Sequence, residues 1–153
     1  MEKELTASAS AIRIAGYLRE KLELPETDIR TYSPLTLAFI GDSIFDLVIR
    51  TCIVESGNAP VNKLHKCASR LVQATAQAEL YHLIQEQLTE EESAVYKRGR
   101  NAKSFTSAKN ASVVDYRIAT GLEALMGYLY LTDRMDRLLD LVKPQINKMV
   151  SIL

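Results

Sequence analysis

The stretch from Leu35 to Val54, LTLAFIGDSIFDLVIRTCIV, is apolar on almost every side of a helix, yet it carries a carboxylate, Asp42, near its middle with Gly41 directly before it. Ser33 and Pro34 stand where an N-cap and a first helical residue belong, and Gly57 lies just past the end, so the run reads as one helix. Leu35, Phe39, Phe45, Val48, Ile49 and Cys52 cover its circumference, which predicts a central core helix. Burial disfavours a charged carboxyl and raises its pKa by roughly 3–5 units. An aspartate in such a helix therefore needs a basic partner, a hydrogen bond in its neutral form, or a cation. Asp46 lies four residues on, along the same face. Taken alone, the two acids are ordinary capping or pairing groups of a bundle.

The 153 residues suit a single domain, here taken as 1–153, with room for a real core. Trp is absent, only ten aromatics occur, and Gly and Pro together number ten, a composition that predicts an all-α fold. Nineteen basic and nineteen acidic residues cancel, so only the distribution of charge can point to a polyanionic partner. The opening MEKELTASAS lacks the apolar core of a signal peptide, and no run approaches the roughly 18 apolar residues of a membrane span. The chain is expected to be soluble and cytoplasmic, with no membrane partner. Cys52 and Cys67 have no metal-type spacing and are expected to be reduced thiols.

Ahead of the central helix, Ile12, Ile14, Tyr17, Leu18 and Leu22 suggest a short amphipathic helix. After it, Pro60 opens what reads as one long helix, with Leu64, Ala68, Leu71, Val72, Leu80, Leu83 and Ile84 on its apolar face and Gln73 and Gln77 on its polar side. Thr89 and Glu92 form a capping-box pattern that starts a further helix through Ala94, Val95 and Tyr96. There follows YKRGRNAKSFTSAKNAS, in which Lys97, Arg98, Arg100, Lys103 and Lys109 meet no acid between Glu92 and Asp115. Gly99, Asn101 and the serines indicate that part of it is loop, where backbone N–H groups can join the side chains in holding phosphate.

A second apolar helix, VVDYRIATGLEALMGYLYL, is expected to begin at Ser112 and end near Thr132. It too holds a lone acid in its apolar part, Glu123, with Gly121 and Gly127 allowing a neighbouring backbone to approach on that side. The chain then reads as Asp133 capping a short helix through Val142, followed by a separate tail helix opened by Pro144. His65 and His82 have no metal-type spacing and are assigned no chemistry. Two apolar helices, each interrupted by one carboxylate beside a glycine, can bring Asp42 and Glu123 to one spot, where repulsion would add to desolvation. A hard divalent cation such as Mg²⁺ resolves that conflict and takes phosphate oxygens as further ligands.

Phe39-Ile40-Gly41-Asp42-Ser43-Ile44-Phe45-Asp46 resembles the signature of the ribonuclease III catalytic domain, ERLEFLGDxxL, and Leu122-Glu123-Ala124-Leu125-Met126-Gly127 resembles its second motif, DxxEAxxG. The similarity covers about residues 33–145. It implies an all-α, ribonuclease III catalytic-domain-like bundle that forms a homodimer and hydrolyses both strands of double-stranded RNA with Mg²⁺, leaving 5′-phosphate ends. It also implies that Asp42 and Glu123 are the catalytic and metal-binding acids. By analogy the expected substrate is precursor large-subunit (23S-type) ribosomal RNA, with a ribosomal protein as the expected partner that presents it. Asp46 and Thr120 are expected to support the acids from outside the ligand shell, and Lys97, Arg98, Arg100, Asn101 and Lys103 to bind RNA.

Two positions depart from the pattern: Ala38 replaces the family's acid four residues before Asp42, and Thr120 the acid three before Glu123. A non-catalytic RNA-binding or ribosome-associated protein on the same fold is therefore the alternative. Helical nucleotide pyrophosphohydrolases need ExxE-like acid clusters within apolar helices, and Glu90-Glu91-Glu92 at a helix start is not one. For the dimer, Leu35 and Phe39, one turn apart, offer an apolar patch beyond the monomer core.

Overall fold

A computed structural model of the chain describes residues 12–103 and 112–150, with side chains through residue 148. It contains α1 (Ile14–Lys21), α2 (Pro34–Glu55), α3 (Val61–Val72), α4 (Ala74–Ile84), α5 (Glu90–Asn101), α6 (Val113–Leu131) and α7 (Met135–Val150), with 3₁₀ turns at Ile29–Thr31 and Gln85–Gln87. No strand occurs among the described residues, and no helix among them is long and apolar enough to cross a membrane. The all-α expectation holds.

α6 is the axle of the bundle, packed most extensively on α2 and then on α5 and α4. Phe45 and Ile49 from α2, Leu80 and Ile84 from α4, Leu122, Leu125, Met126 and Leu129 from α6, and Leu138, Leu141 and Val142 from α7 form one fully buried cluster. Full burial of such side chains contributes about 1.5–3 kcal/mol each. The helix starts follow the local chemistry. The Ser33 hydroxyl accepts the Thr36 N–H with Pro34 beside it, Ser112 accepts that of Asp115, and Thr89 and Glu92 close a complete capping box. Cys52 and Cys67 are free thiols.

Five sequence expectations fail. The helix expected to run unbroken from Pro60 breaks at Gln73, whose backbone is extended at φ −66° and ψ 159°. No Gly or Pro marks the break. The Gln77 side chain secures it by donating from Nε2 to the Val72 carbonyl at 2.9 Å, which satisfies an acceptor that the end of α3 would otherwise leave open. Pro144 does not start a new helix but lies inside α7. The cost of an interior proline, about 3 kcal/mol, is offset by the face that Leu138, Leu141 and Val142 bury before it and that Ile146 continues after it on the same cluster.

Asp133 does not cap α7. It adopts the left-handed conformation, φ 59°, and its carboxylate turns back to accept the Gly16 N–H at 2.8 Å and an Arg19 N–H at 3.0 Å. That clamp also decides which face of α1 is buried. Ala15 and Gly16 face inward, while Ile12, Ile14, Tyr17, Leu18 and Leu22, expected to be the packing face, are exposed.

The fifth failure concerns α2. Leu37, Ala38, Ile44, Phe45, Val48, Ile49 and Ile53 are buried, but Leu35, Phe39, Leu47 and Val54 face solvent, with Phe39 78% exposed. The helix therefore lies at the surface of the monomer along one side. Leu35, Phe39, Asp42 and Asp46 follow the three-four spacing of a single stripe. Asp42 lies on the exposed side, not in the core.

Candidate active site

α2 and α6 cross with their backbones in contact. A Cβ built on Gly41 would lie 1.7 Å from the Glu123 carbonyl oxygen, and one on Gly127 would lie 1.9 Å from that of Leu37. No side chain larger than hydrogen fits at either position, so this pair of glycines sets the crossing and brings Asp42 and Glu123 to one place. Gly121 serves a different neighbour: its Cα side is covered by the Tyr96 ring and the Tyr96 carbonyl of α5.

The two acids line one cleft of about 620 Å³, together with Ala38, Thr120, Gln77 and the rim residue Phe39. Their environments differ. Asp42 is exposed, whereas Glu123 is half-buried, and desolvation pushes its carboxyl up to about 8. The neighbouring Asp42 carboxylate adds to that push, and the Gln77 amide opposes it. Of the two acids that the sequence places in apolar surroundings, Glu123 is the desolvated one and Asp42 is exposed.

Gln77 escaped the sequence reading, where it appears only on the polar side of α4. It is 3% exposed. Its Nε2 donates to the Glu123 carboxylate at 3.3 Å as well as to Val72, while its Oε1 is buried and meets no donor in the protein. A buried acceptor left in that state costs about 1–3 kcal/mol. The helix break at Gln73 is what turns this side chain toward the cleft, so no local signal could have shown it.

Of the remaining predicted residues, Thr120 lines the cleft and donates its hydroxyl to the Tyr116 carbonyl at 3.0 Å. Asp46 is ion-paired with Arg50 at 2.9 Å, one turn beyond the cleft-lining part of α2. Lys97, Arg98, Arg100 and Asn101 occupy the last turn and a half of α5, with Lys103 just after it. Lys97, Arg98, Asn101 and Lys103 are exposed, and among the described residues none of the four basic side chains forms an ion pair. Arg100 lies over the Tyr96 ring, 5.8 Å from its centroid, and its Nε donates to Asn101 at 3.2 Å. Lys109 lies outside the described residues. Gly99 fits against Thr120, Gly121 and Ala124, so this basic helix end adjoins the part of α6 that carries Thr120 and Glu123.

As a cation site, the cleft offers two carboxylates that repel one another and one neutral oxygen with no donor. Among the described residues no cluster of three His, Cys, Asp or Glu forms. Such an oxygen-only set suits a hard, partly hydrated ion such as Mg²⁺, which keeps several waters, better than a softer metal that seeks nitrogen or sulfur.

An all-helical bundle whose two crossing helices place an aspartate and a glutamate in one cleft is the architecture of the ribonuclease III catalytic domain. The family pattern described as the Ribonuclease III domain matches residues 35–134, and the chain belongs to that family. It is 48% identical to the Mini-ribonuclease 3 of Clostridium tetani over 82% of this chain and 83% of that one. It is 50% identical to the Mini-ribonuclease 3 of Enterococcus faecalis over 79% and 93% of the two chains, and 42% identical to that of Staphylococcus aureus over 83% and 93%. A crystal structure of a Fusobacterium nucleatum protein superimposes with a TM-score of 0.74 at 34% identity, covering 80% of this chain and 99% of that one. The chain is an endoribonuclease of the ribonuclease III type.

Proposed function

We propose that the protein is a Mg²⁺-dependent endoribonuclease that cuts both strands of duplex RNA as a homodimer, and that Asp42 and Glu123 are its catalytic, metal-holding acids. The observation that carries this reading is the convergence of those two carboxylates on one cleft beside the basic end of α5. When bound, Mg²⁺ polarises the scissile phosphate and makes water a better nucleophile. Asp42 and Glu123 would hold the ion, and Glu123, whose carboxyl is pushed up to about 8, would have to be ionised to do so. Asp42 stands at the open side of the cleft, and the Thr120 hydroxyl lines its α6 wall. Lys97, Arg98, Arg100 and Lys103, with Asn101, hold the RNA backbone, and phosphate contacts of this kind make binding fall steeply with salt.

Leu35 and Phe39 continue the Asp42 stripe outward and are suited to cover one another across a two-fold axis, which would set two clefts side by side along a duplex. The cellular role is maturation of precursor 23S-type ribosomal RNA in the cytoplasm, with a ribosomal protein as a partner that presents the RNA. The test is incubation with long duplex RNA in Mg²⁺ or in chelator. Cleavage to fragments with 5′-phosphate ends in Mg²⁺ alone supports the proposal. Equal inactivity of wild type and Asp42→Asn at saturating Mg²⁺ would refute the assignment of the two acids.

A further inference from the structure

We infer that Gln77 is the third member of the cation site, a positioning residue that aims the Glu123 carboxylate and offers its own Oε1 to the hydration shell of Mg²⁺. The inference rests on the reading of Asp42 and Glu123 as the metal-holding pair. Three observations carry it. Gln77 is 3% exposed and lines the same cleft as the two acids. Its Nε2 is fixed by the Val72 carbonyl at 2.9 Å and reaches Glu123 at 3.3 Å. Its Oε1 is buried with no donor in the protein.

Capping the end of α3 accounts for one of those amide hydrogens and for nothing else. Any short donor would cap Val72 without placing a second N–H on an acid and a bare oxygen beside it. The side chain also adds a buried neutral oxygen to a cleft that Ala38 and Thr120 leave without further carboxylates. A neutral amide oxygen adds a cation contact without further repulsion between acids, and Mg²⁺ ordinarily meets such an oxygen directly or through one of its waters. Groups that orient a metal ligand through a hydrogen bond usually change metal affinity 10–100-fold when removed.

The test is Mg²⁺ binding to the full chain by calorimetry, without RNA, comparing wild type, Gln77→Met and Asp42→Asn. Gln77→Met keeps the length of the side chain and removes both polar atoms. The expected result is an Mg²⁺ Kd raised about tenfold or more in Gln77→Met. Duplex cleavage by the variant should then recover as Mg²⁺ is increased, while binding of duplex RNA in chelator is unchanged. An unaltered Kd in Gln77→Met, alongside a weakened one in Asp42→Asn, overturns the role of Gln77 and leaves the two-acid site standing. An unaltered Kd in Asp42→Asn overturns the site itself. Should Gln77→Met fold poorly, the wild-type protein decides the matter: substoichiometric Mn²⁺ should broaden the Gln77 side-chain amide resonances, and their persistence would refute the proposal.

Discussion

Replacing Glu123 with Gln should make the metal-free protein more stable, and by an amount that depends on pH. Glu123 is pushed up to about 8 in the fold, whereas its ordinary value is 4.5. A carboxyl raised on folding contributes nothing below the unfolded value and destabilises increasingly as pH climbs from about 4.5 to 8, because the unfolded chain releases the proton that the fold retains. The full difference corresponds to about 5 kcal/mol, and solvent reaching the partly exposed cleft reduces that to about 2–3 kcal/mol. In Glu123→Gln the isosteric amide is neutral at every pH, and its oxygen still accepts the Gln77 N–H. Thermal melts in chelator should coincide near pH 4.5 and diverge to a gain of roughly 5–10 °C for the variant near pH 8.5. Saturating Mg²⁺ should reverse the order by stabilising only the wild type. A difference between the two proteins that does not vary with pH would refute the burial and repulsion argument.

Other substitutions test the frame around the cleft. Gly41→Ala forces a methyl into the Glu123 carbonyl, 1.7 Å away, and should cost roughly 3 kcal/mol or more as seen in chemical denaturation. Phe39→Asp places a charge on a side chain that is 78% exposed in the monomer, so circular dichroism should be unchanged while sedimentation shows a dimer lost to monomers. Lys97→Ala with Arg98→Ala should leave cleavage at low salt intact and flatten the plot of log affinity against log salt by about 0.9 for each phosphate contact removed.

Much of this arrangement was legible before any coordinates, because it rests on local chemistry. Ser33-Pro34, Thr89 with Glu92, and Ser112 announce helix starts through short-range hydrogen bonds, and Gly41 beside Asp42 with Gly127 after Glu123 announces a close crossing. What escaped depends on partners distant in the chain. An apolar stripe such as Leu35–Phe39 looks the same whether it meets a core or another surface, so the sequence places Asp42 in the core with Glu123, whereas Glu123 alone carries the desolvation. Gln77 looks like one more polar residue on a long helix until the break at Gln73 swings it toward α6. The face of α1 is chosen by the Asp133 clamp, and the continuity of α7 through Pro144 by its packing, neither of which leaves a periodic signature.

The most direct examination of the paired acids is single-turnover cleavage of a defined RNA duplex in Mg²⁺ by Asp42→Asn, Glu123→Gln and the double variant, at protein concentrations that saturate RNA binding. If the two carboxylates act on one cation, each single change should slow cleavage on the order of a thousandfold, and the double variant should be no slower than the worse single. A single variant that cleaves at the wild-type rate, or losses that multiply in the double variant, would contradict a shared site.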